Sequence, residues 1–173
     1  MKNIYLIGMP GSGKSTLGRK IAEILQVEHL DTDEMITKRA GMSPEDIILH
    51  QGELELRKLE HELLLNLLTR ENLIISTGGG FPVYDDNMLL MNERGITLYI
   101  RYSEEILWSR LQNDRVRPLS SSYEAIVELL GRRKGVYGKA SIIIDGEDDI
   151  LKNTNNAINA ISMEFQLETP GCD

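Results

Sequence analysis

The stretch "GMPGSGKST", Gly8 to Thr16, follows directly on the apolar run "NIYLI" and fits the spacing G-x-x-x-x-G-K-[ST] at Gly8, Gly13, Lys14 and Ser15. Glycines at these positions let successive backbone N–H groups turn inward around an anion, and a helix starting at Lys14 adds its positive end. Lys14 can then reach the β- and γ-phosphates of a nucleoside triphosphate, while the Ser15 hydroxyl suits Mg²⁺. The plain alternative is an ordinary strand-to-helix turn with a surface lysine. The complete motif between a strand and a helix favours the phosphate site. The motif leaves the fate of the phosphate open, because a triphosphate can be hydrolysed or its γ-phosphoryl passed to a second substrate.

Other residues bear on that choice. Asp31 and Asp33 form "DTD". In an extended segment both would point to one side, one orienting Mg²⁺ through its water shell, the other accepting a hydrogen bond from an acceptor hydroxyl. A solvated helix cap explains an aspartate here equally well. Gly78-Gly79-Gly80 exceeds what a turn requires and suggests close approach of backbone to a ligand, with a flexible loop as the alternative. Arg57 in "ELELRKLE" reads as an exposed helix arginine paired with Glu53 or Glu60, with Leu54, Leu56 and Leu59 marking much of that helix's apolar surface. Arg110, Arg115 and Arg117 flank or occupy "QNDRVRPLSSS", and Arg132-Arg133-Lys134 come later. Such arginines are either solvated or, beside a triphosphate, able to close over it and neutralise transition-state charge. His29, His50 and His61 show no metal-ligand spacing. Trp108, Met88 and Met91 read as packing residues.

The elements that must position these groups follow from periodicity. Strands are predicted at 3–7, 27–31 ("VEHLD"), 72–77 ("NLIIST"), 96–101 ("ITLYIR") and 140–145 ("ASIIID"). Helical patterns cover 14–26, 33–40, 44–50, 52–70, 103–112, 122–136 and 149–166, with Ser43 and Pro44 as cap and first helical position. Residues 112–122 lack apolar periodicity and read as a mobile loop. Buried strands alternating with helices imply an α/β fold, a five-stranded parallel sheet with helices on both faces. All strand C-termini then share one edge, where the candidate residues collect.

The chain of 173 residues most simply forms one domain, 1–173. No apolar run approaches the ~18 residues of a membrane span. The N-terminal segment does not read as a signal peptide, and Cys172 has no partner for a disulfide, so the cytoplasm is expected. A net charge of −8 argues against nucleic acid or an anionic membrane as partner, since both demand a basic face. Small anionic ligands remain accessible to a few convergent arginines.

With these pieces in order, the sequence resembles the shikimate kinases over nearly its whole length, through the phosphate turn, "LDTDEMI", "GELELRKLE", "STGGG", "RVRPL" and "RRKGVY". The resemblance implies a P-loop NTPase fold of the nucleoside-monophosphate-kinase type, with substrate-binding helices at about 33–62 and a lid at about 112–122. It implies ATP as co-substrate with Mg²⁺, transfer to the 3-hydroxyl of shikimate, and a monomer. By position, Gly11, Ser12, Gly13, Lys14, Ser15 and Thr16 would hold the ATP phosphates, with Ser15 on Mg²⁺ and Asp31 in its outer shell. Asp33 would bind the shikimate hydroxyls and orient or deprotonate the attacking one. Arg57 and Arg133 would clamp the substrate carboxylate beside Gly78, Gly79 and Gly80, with Gly79 donating a backbone contact. Arg117 on the lid would reach the γ-phosphate, and Arg110 would stack by the adenine. Planar guanidinium groups match carboxylates bidentately, in keeping with this division.

Leu56 replaces the phenylalanine usual in that family, Gly135 replaces the proline of R-x-P-x-Y, and "IDGEDD" lacks the usual adenine loop. Among rivals, gluconate kinase would carry a histidine after its D-x-D, which "DTDEMITKR" lacks. Nucleoside monophosphate kinases of the adenylate type read G-K-G-T where this chain has G-K-S-T. A GTP switch needs N-K-x-D, which does not occur. A nucleotide-binding regulatory module without turnover is the alternative from a different class.

Overall fold

The structure, a computed structural model, describes residues 1–112, 122–146 and 149–168. Five strands are present among them, β1 (Asn3–Ile7), β2 (Glu28–Asp31), β3 (Leu73–Ser76), β4 (Gly95–Arg101) and β5 (Ile142–Asp145). They form one parallel sheet in the order β2-β3-β1-β4-β5. Every residue of β1 and β3 is buried, so both sheet faces are covered. That is why these strands read as unbroken apolar runs rather than alternating ones.

Among the described residues eight α-helices connect or flank the strands, α1 (Lys14–Leu25), α2 (Thr32–Ala40), α3 (Pro44–Gln51), α4 (Glu53–Leu67), α5 (Asn87–Arg94), α6 (Glu104–Leu111), α7 (Tyr123–Tyr137) and α8 (Ile150–Glu168). The bounds agree with the periodicity to within a few residues. Ser43 caps α3 by accepting from the Asp46 N–H at 3.1 Å, with Pro44 at the first helical position. Two elements have no counterpart in the sequence reading, α5 and a 3₁₀ turn at Phe81–Val83. Met88 and Met91 are core residues as expected, but they sit on a helix of only eight residues, too short for its periodicity to stand out.

The buried face of α4 also differs from expectation. Leu54 is exposed, and the buried stripe is Leu56, Arg57, Glu60, Leu63, Leu64 and Leu67. An arginine and a glutamate thus occupy positions whose helical phase faces the protein interior. The stripe of α7 does the same, running Ile126, Leu129, Leu130, Arg133, Tyr137.

The strand order places the site. From β1 the chain crosses past β3 to the sheet edge at β2, whereas from β3 it crosses past β1 to β4. The connections leaving adjacent strands β1 and β3 therefore diverge, opening a crevice beyond their C-terminal ends. The loop after β1 is the glycine turn, and the loop after β3 carries Gly78–Gly80.

Candidate active site

A cavity of about 310 Å³ occupies this crevice. On one side lies the phosphate turn. Gly13 precedes α1 with φ 80°, a left-handed conformation that side chains disfavour, and α1 has no side-chain cap and no acidic residue in its first turn. The helix N-terminus is thereby left open toward an anion. Gly11, Gly13, Lys14, Ser15 and Thr16 line the cavity. Ser12 does not; its buried hydroxyl lies 3.3 Å from the Lys14 Nζ, which also donates to the carbonyls of Gly8 (3.0 Å) and Met9 (2.9 Å). Lys14 is only 9% exposed, so it braces the turn from inside rather than standing at a solvent edge.

Both aspartates of "DTD" line the cavity, though not by strand alternation. Asp31 ends β2 in an extended conformation, while Asp33 lies in the first turn of α2. Asp31 combines the two alternatives read from the sequence. Its Oδ1 caps α2 by accepting from the Asp33 N–H at 3.0 Å, and its Oδ2 accepts from the Ser15 hydroxyl at 2.5 Å. Ser15 and Asp31 thus offer hydroxyl and carboxylate oxygens side by side, a hard-oxygen donor set suited to Mg²⁺.

The other side is built from charged side chains packed against glycine. Arg57 donates to Glu60 Oε2 through Nη1 and to Glu53 Oε1 through Nη2, each at 2.6 Å. Both pairings anticipated from spacing occur, but the guanidinium is buried rather than exposed. Burial opposes its charge, and Glu60 and Glu53 more than offset that, holding its pKa above the usual value. Glu60 is 1% exposed and lines the cavity. Burial pushes its carboxyl up to about 7 despite the opposing pull of Arg57. Arg133 is 5% exposed, and its Nη1 is buried without a hydrogen-bond partner. An unpartnered buried guanidinium nitrogen costs free energy that an anionic ligand can recover.

Gly78, Gly79 and Gly80 line the same cavity. A Cβ at Gly78 would sit 2.7 Å from Asp33 Oδ1 and 3.0 Å from Glu60 Oε1, one at Gly79 would sit 2.8 Å from Arg133 Nη1, and one at Gly80 would overlap the Arg57 guanidinium. The triple glycine is thus explained by close approach, first of all to the protein's own charged side chains. Its backbone is tied down, the Gly78 N–H donating to the buried Thr32 hydroxyl at 2.9 Å and the Gly78 carbonyl accepting from Phe81 N–H at 3.1 Å.

Arg110 lies outside the cavity lining, over the Tyr102 ring at 4.2 Å, with Nη1 3.4 Å from the Gly11 carbonyl. Arg115, Arg117 and all of the expected lid except its end residues fall outside the described residues. The helix phase of α4 was the available signal for Glu60, which sequence reading treated only as a partner of Arg57. Among the described residues one potential metal-ligand group occurs, His61, Asp85 and Asp86, with ligand atoms within 4.8 Å of one another. The fold brings it together across a wide sequence gap, so spacing could not show it, and none of the three lines the cavity.

The family model for shikimate kinase matches residues 10–162. A shikimate kinase of a Sulfurihydrogenibium species is 40% identical over 148 residues, covering 85% of this chain and 89% of the relative. Among solved structures, shikimate kinase from Acinetobacter baumannii in complex with shikimate superposes with a TM-score of 0.89 at 30% identity, over 96% of each chain. A gluconokinase from Sinorhizobium meliloti superposes with a TM-score of 0.60 at 16% identity, over 95% of this chain and 97% of the other, a likeness of fold alone. The fold is that of the P-loop kinases, and this chain belongs to the shikimate kinase family.

Proposed function

We infer that the protein is an ATP-dependent kinase that transfers the γ-phosphoryl group of ATP to the 3-hydroxyl of shikimate, giving shikimate 3-phosphate and ADP. One observation carries the reading. The cavity that begins at the phosphate turn ends at two buried guanidinium groups, one with an unpartnered nitrogen. A small acceptor carrying both a carboxylate and hydroxyls suits a cavity lined by these arginines together with Asp33 and the phosphate turn. Gluconate shares these groups, but the gluconokinase from Sinorhizobium meliloti resembles this chain only at the level of fold.

In this reading Gly11, Gly13 and Thr16 hold the ATP phosphates through backbone N–H groups and the hydroxyl, with Ser12 supporting Lys14. Lys14 leaves the carbonyls it braces to meet the β- and γ-phosphates. Ser15, with Asp31 in the outer shell, would hold Mg²⁺, which would neutralise phosphate charge there. Arg57, Arg133 and the Gly79 N–H hold the acceptor carboxylate, leaving its hydroxyl end toward Asp33. Asp33 accepts the proton of the attacking hydroxyl as the new O–P bond forms and the bond from phosphorus to the ADP oxygen breaks. Arg110 borders the adenine, and Arg117 reaches the transferring group. The chain acts as one domain and as a monomer in the cytoplasm, without nucleic acid or membrane. Among the described residues no helix is long and apolar enough to cross a membrane.

The test is ADP release from ATP and Mg²⁺ with shikimate, gluconate, AMP or no acceptor. Release dependent on shikimate is expected. Equal release without acceptor, or preference for gluconate or AMP, overturns the reading.

A further inference from the structure

Tyr137 closes the "RRKGVY" stretch and lines neither end of the cavity. It is completely buried at the last turn of α7. Its hydroxyl donates to the Gly79 carbonyl at 2.6 Å and lies 4.0 Å from Met9 Sδ in the phosphate turn. Its ring packs at a tilt on Tyr99 of β4, with centroids 5.0 Å apart. Arg133 stands one helical turn earlier on the same buried stripe, its Nη1 against the open side of Gly79. One phenol therefore touches the glycine loop, the phosphate turn and the helix that carries half of the arginine clamp.

We propose that Tyr137 is a positioning residue for the acceptor, fixing the peptide plane of Gly79 so that this loop and Arg133 present one rigid carboxylate site. The proposal rests on the reading that Gly79 and Arg133 hold the acceptor carboxylate. Glycine at 79 has no side chain with which to define its own orientation, and its conformational freedom is large. The carbonyls on either side are already committed, Gly78 to Phe81 N–H and Gly80 to Val83 N–H. The Gly79 carbonyl is anchored across the fold instead, 58 residues away in sequence. A hydroxyl is needed because the partner is a carbonyl, which only accepts. Burial pushes the phenol up to about 12, against the pull of Arg133, so it remains a donor at any working pH.

The experiment compares wild type with Tyr137→Phe, Tyr99→Phe and Arg133→Lys in steady-state kinetics for shikimate and for ATP. Tyr137→Phe keeps the ring and its packing and removes only the hydroxyl. The expected result is a shikimate KM raised about three- to tenfold, the range of one neutral hydrogen bond. The KM for ATP, kcat and the melting temperature should stay close to wild type. Tyr99→Phe, which alters the same aromatic pair without touching Gly79, should leave all four unchanged. An unchanged shikimate KM in Tyr137→Phe, or equal rises for both substrates, overturns the proposal while Arg133→Lys still raises the shikimate KM. If Tyr137→Phe unfolds, amide exchange of Gly79 in the wild type decides. Slowed exchange of Gly79 and Gly80 on adding shikimate supports the proposal, and exchange indifferent to shikimate overturns it. Should Arg133→Lys leave the shikimate KM unmoved, the carboxylate reading itself is wrong and the Tyr137 proposal falls with it.

Discussion

The two ends of the cavity recognise anions by different means. The phosphate end is a continuous stretch whose donors are mostly backbone N–H groups at the start of α1, with Lys14 as its one cationic side chain. The acceptor end draws Asp33 from α2, Arg57 and Glu60 from α4, three glycines from the loop after β3 and Arg133 from α7. Backbone dipoles need no counter-ion and can wait for a ligand at little cost. Buried guanidinium groups must be balanced, and Glu53, joined by Glu60 as it ionises near pH 7, supplies that balance for Arg57. A chain of net charge −8 can thus hold two anionic substrates, because positive potential is built locally, in two chemically distinct ways.

If the two ends are separable, variants at each should move different kinetic constants. The largest effect is expected from Lys14→Met, which retains bulk and removes the charge. Turnover should fall by about 10³-fold, in line with the loss of a charge-stabilising donor in phosphoryl transfer. Circular dichroism should show a folded protein, although the freed carbonyls of Gly8 and Met9 will lower its melting temperature. A folded variant with normal turnover would remove the phosphate turn from the chemistry.

Asp33→Asn comes next, with kcat reduced about 10²-fold or more while calorimetric MgATP affinity stays near wild type. Its neighbour gives the contrast. Asp31→Asn should show its defect at low Mg²⁺ and recover as Mg²⁺ is raised, since Asp31 faces Ser15. Magnesium titrations at saturating shikimate distinguish them, and rescue of Asp33→Asn instead would reverse the two roles.

Arg57→Lys and Arg133→Lys should each raise the shikimate KM by about 10- to 100-fold, because a point charge cannot reproduce a planar two-pronged donor. The ATP KM should move little, and equal shifts for both substrates would erase the distinction between the two ends.

The smallest effect concerns pH. Folded Glu60 keeps its proton to about 7, whereas an unperturbed carboxyl releases it near 4.5. The folded state therefore binds more protons across that window. The stability from this group is full below the lower value and is lost as pH rises through about 7. Glu60→Gln should flatten that decline in melting temperature, and Lys14→Met should preserve it. A slope shared by wild type and Glu60→Gln would show that another group titrates there.

The same contrast governs what the sequence disclosed. The phosphate turn is local, so its motif, its strand and its helix could be read together from neighbouring residues. The acceptor end is assembled by tertiary packing, and only its residue types were visible, through resemblance to a family. Its physical signal lay in helix phase. Arg57 and Glu60 fall on the apolar stripe of α4, and Arg133 on that of α7, while the adjacent Arg132 and Lys134 point outward. Leu54, which faces solvent, sets an apparent stripe that leaves Arg57 reading as exposed. The Asp31 cap and the Asp31–Ser15 contact could not be separated in advance, because one carboxylate makes both. Helix α5 was missed for lack of length, and the partners of Gly78–Gly80 because glycine gives no hint of what approaches it.

The strand order has a consequence for synthesis. β1 and β2 are made first, yet they are not neighbours, and both pair with β3, which begins at Leu73. At about 5–20 residues per second on the ribosome, β1 remains without a hydrogen-bonded partner for several seconds after it is made. Throughout that interval its four apolar residues, Ile4 to Ile7, all destined for burial, are available to chaperones or to other nascent chains. The phosphate turn has no fixed strand behind it until β3 arrives. A chain released before Leu73 would therefore carry the full nucleotide motif and lack the sheet that gives it shape.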